Sequence, residues 1–407
     1  MKRIPIESLL LVGVFACASS PSRKPAEPLA SAPPSASTPA LGSAATVGEG
    51  PASPSAPTPA SASAPALAST PALAPMSAPA STPVPAPSRP PVIPLVSTPR
   101  VSGDDELAEG DAAFARGDMT QARAIYAAAR ASAPTSAGAL VGLARVQIAS
   151  AGVPLDYASA KGNREIVRAC AQLSSVVKTA PSFGPAYVEL GRGRLLLGDA
   201  PAALAALTLG ARLLPSEPEA HSQLGVALLA TGQSAKAVAE LARAVELDPD
   251  SSARHGNLGT ALFMVGRTKE ALAEYEVRVG MDATDAKAHS DLGTALLATV
   301  DLERASSELR RAVELEPGRA TFHSNLGYAL QQAGRFDAAI DEYREALRLD
   351  AGLVSAWVNL ATVLARDPKR RAEARGALEH ARSIAPEDPR VKANLEELDA
   401  MTPHSAR

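Results

Sequence analysis

Aromatic residues are scarce: they make up 3% of the 407 residues, with a single Trp. Sheet proteins draw much of their core area from aromatic and β-branched side chains, so this shortage argues against a sandwich or barrel. Cysteine is rare too, with Cys17 and Cys170 the two examples. No excess of one charge is present; 40 Lys+Arg against 43 Asp+Glu leave a formal net charge of −3, a balance that excludes nucleic acid as the expected partner. No apolar run reaches the roughly 20 residues that cross a bilayer. P-loops, dinucleotide fingerprints and nucleophile elbows are missing as well, so no catalytic residue, cofactor or small-molecule substrate is expected. Ala and Leu supply most of the 46% apolar content. Such small side chains bury area where helices approach closely, and the expectation is an all-α fold.

The first twenty residues, MKRIPIESLLLVGVFACASS, begin basic at Lys2 and Arg3 and run apolar from Leu9 to Ala16. This is the layout of a secretory signal over residues 1–18. Val14-Phe15-Ala16-Cys17 resembles a bacterial lipobox, with Phe15 departing from the small residue usual at that place. The resemblance implies that Cys17 carries lipid and anchors the chain in the cell envelope, on the periplasmic or surface side, with the outer membrane as the expected membrane. Cleavage after Ala16-Cys17-Ala18 and release of a soluble protein is the alternative. Either fate leaves Cys170 without an intrachain partner, so it reads as a buried structural thiol. Residues 19–102 are dominated by Pro, Ala, Ser and Thr, as in PASPSAPTPASASAPALAST. Few large apolar side chains and missing backbone donors predict a disordered linker there.

Beyond the linker a 34-residue interval governs the chain. His221, His255, His289 and His323 keep it, as do Leu-Gly pairs from Leu190-Gly191 to Leu326-Gly327 and small residues from Ala203 to Ala339. Pro215, Pro249 and Pro317 close units at the same phase. The period resembles the tetratricopeptide repeat, a helix–turn–helix unit. That resemblance covers residues 103–388 as about eight repeats forming a right-handed α-solenoid, with units starting near Gly103, Ala137, Gly184, Pro218, Ser252, Ala286, Ala320 and Val354. An insertion falls near residues 150–163, read as a loop projecting from one rim, either specific to a partner or a disordered decoration. Residues 389–407 read as a capping helix and tail. The small residue after each Leu and the Ala opening helix B mark a close helix crossing, filled by Leu207, Leu241, Tyr275, Leu309 or Tyr343.

The histidines occupy a position where this family often has Trp, as Trp357 does in the last unit. Their spacing is too wide for one metal ion to reach neighbours at about 2.1 Å, so they read as structural, hydrogen-bonded residues and no metal site is expected. Two residues on, Asn257, Asp291, Asn325 and Asn359 form a column. It is similar to the asparagine ladder that lines the repeats of O-linked N-acetylglucosamine transferase, which implies contact with the backbone of an extended peptide along the concave wall; bonding within their own repeat is the alternative. Tyr328 and Gln332 would add polar groups to that groove. Arg278 stands where a small residue is expected, which predicts a looser joint between the fifth and sixth repeats. The function implied by the resemblance is a non-enzymatic scaffold that binds a protein or peptide in the groove, serving an envelope complex. A recognition subunit for a separately encoded enzyme and a soluble cytoplasmic regulator are the other readings.

Overall fold

The computed structural model describes residues 92–96, 104–153 and 157–401. The predicted signal, Cys17, most of the linker and the tail beyond Met401 lie outside them. Among the described residues there are seventeen α-helices, one 3₁₀ turn and no strand. Sixteen helices form eight antiparallel A/B pairs. The first four pairs are α1 (Asp104–Ala115) with α2 (Met119–Ser132), α3 (Ala137–Ala149) with α4 (Arg164–Thr179), α5 (Gly184–Leu196) with α6 (Ala200–Leu213), and α7 (Pro218–Ala230) with α8 (Ser234–Leu247). The next four are α9 (Ser252–Met264) with α10 (Thr268–Met281), α11 (Ala286–Ala298) with α12 (Leu302–Leu315), α13 (Ala320–Gln332) with α14 (Phe336–Leu349), and α15 (Val354–Leu364) with α16 (Arg371–Ile384). The last helix, α17 (Pro389–Met401), packs on the eighth pair through Val391 and Leu398.

The period-34 positions explain why the pairs form. Ala203, Ala237, Ala271, Ala305 and Ala339 are fully buried near the start of each B helix. A methyl group placed on Gly191, Gly225, Gly259, Gly293 or Gly327 would lie 2.3–2.8 Å from the Leu or Tyr sixteen residues later. Glycine is thus required because the bulky B-helix side chain fills the space a Cβ would take. Each A helix also packs on the preceding B helix, while A helices of successive pairs touch one another and B helices stay farther apart. The A helices therefore line the inner wall of the stack.

At the A-to-B corner a residue in the left-handed region ends helix A, with φ of 80°, 75°, 79° and 76° at Gly198, Gly232, Gly266 and Gly334. In the sixth pair Val300 holds that place, at φ 62°, with its side chain 73% exposed. Its caps are slightly longer: Val300 N–H to Leu297 O and Asp301 N–H to Leu296 O are both 3.2 Å, against 3.0 and 2.9 Å for Gly266 and Arg267. A β-branched residue is strained in this conformation.

Two expectations are corrected. The insertion does not project from the rim where it is described: Ala158 and Ala160 donate their N–H groups to Leu195 O and Leu196 O at 2.9 Å, and Tyr157 donates its hydroxyl to Gly198 O at 3.0 Å. It lies along the end of α5, satisfying carbonyls that a helix C-terminus leaves open. Residues 92–96, assigned to the disordered linker, pack on the first repeats. Ile93 and Leu95 are 2% and 0% exposed, while Pro94 between them is exposed. Averaging composition over the Pro/Ala tract concealed a short apolar stretch with the period of an extended chain. Cys170 is buried against Gly193, and burial pushes its thiol up to about 11.

Candidate functional site

The four histidines make one repeated clamp. Nδ1 of His221, His255, His289 and His323 lies 2.6–2.7 Å from Glu240, Glu274, Glu308 and Glu342 on the paired B helix, nineteen residues on. Nε2 lies 2.8–3.1 Å from the carbonyl of Pro215, Pro249, Ala283 or Pro317 before the A helix. Both ring nitrogens are thereby engaged, and each ring joins helix A, helix B and the incoming turn. Trp357 keeps half of the clamp, donating Nε1–H to Ala351 O at 2.9 Å. It has no second nitrogen, the residue nineteen positions on is Gly376 where the four histidine repeats have Glu, and His380 packs on its ring at 4.4 Å between centroids.

The column two residues on is less uniform than its letters suggest. Asn257 and Asn325 donate Nδ2–H to Ser222 and Ser290 of the preceding repeats, at 3.5 and 3.4 Å. They link successive A helices rather than bonding within their own repeat. Among the described residues their amide oxygens accept no hydrogen bond. Asn359 and Tyr328 are half-buried and Gln332 is exposed. The Tyr328 hydroxyl is pushed up by burial.

Asp291 differs. Its Oδ2 accepts from Arg278 Nη1 at 2.7 Å and Lys287 Nζ at 2.8 Å, and Arg278 Nη2 reaches Asp285 at 2.7 Å. Arg278 is buried, and its guanidinium crosses from α10 to the sixth pair. The predicted looser joint is instead bridged by two ion pairs. Arg278 also lies over Gly256, where an added Cβ would be 2.8 Å from its Nη1. Two deviations among the HSxLG copies, Gly256 and Asp291, therefore have one cause. The arginine needs space beneath it and a carboxylate ahead of it.

The N-terminal inner wall is charged, and sequence reasoning missed it. Arg145 of α3 is fully buried; Nη1 donates to Asp111 of α1 at 2.9 Å and Nε to Glu189 of α5 at 2.7 Å. Its Nη2 donates to Ile93 O at 2.7 Å. Asp111 in turn accepts from the Tyr126 hydroxyl and from Leu95 N–H, both at 2.7 Å. Burial pushes the Asp111 carboxyl up, and Arg145 pulls against it. Burial also works to raise Glu189, but Arg192 and Arg145 overcome it and leave that carboxyl below its ordinary value. The available signals were the charges at the ninth positions of the first two repeats, Asp111 and Arg145, and the unbroken apolar run Val92-Ile93-Pro94-Leu95-Val96.

A separate cleft of about 780 Å³ opens between α2, α3 and α4, lined in part by Arg123, Arg130, Gln147 and Glu165. No group of three or more His, Cys, Asp and Glu placed to hold a metal ion occurs among the described residues. No described helix is long and apolar enough to cross a membrane.

Stacked antiparallel helix pairs at a 34-residue period, with one helix of each pair on the inner wall, define an α-solenoid of helix–turn–helix repeats. A family model described as Tetratricopeptide repeat matches residues 107–150 and 290–354, and one described as Bacterial transcriptional activator domain matches residues 187–280. The chain is a tetratricopeptide repeat protein. Among solved structures, the APC/C hetero-tetramer Cut9-Hcn1 is similar at 17% identity and a TM-score of 0.55, over 73% of this chain. This chain spans 56% of that relative's length. MamA from Desulfovibrio magneticus RS-1 aligns at 25% identity over 42% of this chain and 96% of its own, with a TM-score of 0.38. YrrB, described as a TPR protein with an unusual peptide-binding site, aligns at 21% identity over 47% of this chain and 99% of its own, also at 0.38. No curated protein matches the sequence. Solenoids of this family are, in general, protein-interaction scaffolds.

Proposed function

We propose that this chain is a non-enzymatic scaffold that receives an extended or helical segment of a partner protein along its C-terminal inner wall, within a cell-envelope assembly. The observation that carries the reading is the state of Asn257 and Asn325. Each half-buried side chain spends one amide N–H on the preceding repeat and keeps an amide oxygen that accepts nothing among the described residues. Such amides, one repeat apart or two, match the regular donors and acceptors of an extended main chain. Asp291 between them is committed to Arg278 and Lys287, so the contact surface is Asn257, Asn325, Asn359, Tyr328 and Gln332. The envelope part of the reading rests on the signal-like start and on Cys17 as the lipid anchor, which would raise the local concentration of the scaffold at its membrane.

A photo-reactive residue at Gln332, compared with one at Glu303 on α12, tests the groove in cells. A discrete partner adduct is expected from position 332 and not from 303, and it should disappear with Asn325→Ala. Equal adducts from both positions would refute the groove. For the anchor, mass spectrometry of the mature N-terminus should find an acylated Cys17; an intact Met1 would remove the envelope from the proposal.

A further inference from the structure

We infer that the inner wall of the first three repeats is a second peptide site, one that reads main chain rather than side chains and is held closed by the chain's own residues Val92–Val96. Ile93 O accepts from Arg145 and Leu95 N–H donates to Asp111. These two groups lie on one edge of an extended chain, because alternate residues direct their backbone groups to the same side. Pro94 lacks an N–H, but its backbone faces the opposite edge, so nothing is lost there. The side chains of Ile93 and Leu95 are buried and that of Pro94 is not. Gly138 permits the approach: a Cβ there would stand 2.9 Å from Leu95 O.

The site is built for an occupant. Arg145 is 0% exposed, and its guanidinium divides its donors among Asp111, Glu189 and the Ile93 carbonyl. With the segment gone, one donor on Arg145 and one acceptor on Asp111 would exchange their main-chain partners for water in a concave, charged wall. A replacement must supply a carbonyl and, two residues on, an N–H, with an apolar side chain at both places. The ligand class is therefore an extended apolar peptide of the Ile-Pro-Leu kind. Seven residues, 97–103, join Val96 to the start of α1. So short a tether keeps the resident segment at an effective concentration on the order of 1 mM. A free peptide with a Kd of about 10 µM for the open site would appear about 100-fold weaker on the closed chain. The site thus admits an outside segment by exchange and rejects weak competitors.

The probe is a fluorescent synthetic peptide of sequence PPVIPLVST, residues 90–98, titrated by anisotropy against the full chain and against the full chain carrying Ile93→Asp and Leu95→Asp. Binding to the double variant, about 100-fold tighter than to the unaltered chain, is expected. The same peptide with its Leu N-methylated keeps the side chain but loses the donor to Asp111, and should bind at least 10-fold more weakly. Failure of the double variant to bind while its helical circular dichroism is retained would overturn the proposal, as would equal binding of the N-methyl peptide. Hydrogen exchange on the unaltered chain is independent of any variant: the Leu95 amide should be protected, and exchange at the rate of an unstructured peptide would overturn closure. None of these outcomes touches the C-terminal wall, which Asn325→Ala tests separately.

Discussion

Gly256 beneath Arg278 gives the sharpest test of the packing. Changing Gly256 to Ala in the middle of a helix should by itself stabilise the chain by about 1 kcal/mol. Here the added Cβ would sit 2.8 Å from Arg278 Nη1, 3.1 Å from Cδ and 3.2 Å from Cζ. An exposed arginine would swing aside. This one is held by Asp285 and Asp291, both at 2.7 Å, with its side chain 10% exposed. Overpacking of that kind costs about 1–3 kcal/mol, so Gly256→Ala should be destabilising by about 1 kcal/mol net. In a chain already carrying Arg278→Ala the space is empty and the sign should reverse, giving a gain of about 1 kcal/mol. The coupling in the double-mutant cycle is then about 2 kcal/mol. The loss from stranding Asp285 and Asp291 is common to both Arg278→Ala chains and cancels. Urea unfolding combined with hydrogen exchange over residues 252–264 would measure it. The same effect of Gly256→Ala in both backgrounds would refute the packing argument.

Val300→Gly should stabilise by about 1 kcal/mol, since it removes a β-branched residue from the left-handed region and restores what five other repeats have there; an unchanged thermal midpoint would speak against strain. Glu219 is buried, and burial pushes its carboxyl from 4.5 up to about 7 against the pull of Gln223, Arg192 and Arg254. A raised acid favours the folded state below its unfolded value and loses that contribution as pH climbs through 7, a change of at most about 3 kcal/mol. Glu219→Gln should therefore gain stability relative to the parent between pH 4.5 and 7 and then level off, whereas a flat difference across that window would refute the shift. His289→Ala should cost about 2–4 kcal/mol, through loss of two ring hydrogen bonds and a cavity between α11 and α12. Local exchange in those two helices, with the C-terminal cap unaffected, is the check.

Much of the solenoid was legible because a repeat writes the same contact several times. Gly191 and Leu207, or Gly327 and Tyr343, are one crossing seen again, and a clash of 2.3–2.8 Å is avoided in the same way each time. The structural role of the histidines was readable for that reason too, although their Glu partners nineteen residues away were not picked out. Contacts that occur once leave no such trace. Arg145 reaches Ile93 across 52 residues and Glu189 across 44, and no periodicity connects those positions. The insertion was misjudged because its length was visible while its pairing with Leu195 and Leu196 was not. Arg278 was noticed as a deviation, yet its consequence was read from size alone; the two carboxylates that hold it come from the next repeat.

Repeats four to seven present nearly the same A-helix face, HSQLG, HGNLG, HSDLG and HSNLG. A folding chain therefore meets several surfaces on which helix α10 could settle, each displaced by a whole unit. Docked one unit too far along, Arg278 would lie over Ser290, where no glycine makes room, and would face Asn325 in place of Asp291. A guanidinium left there without its carboxylate would cost several kcal/mol. The single arginine serves the solenoid as an index mark, fixing which unit follows which in a chain whose apolar contacts alone would tolerate miscounting.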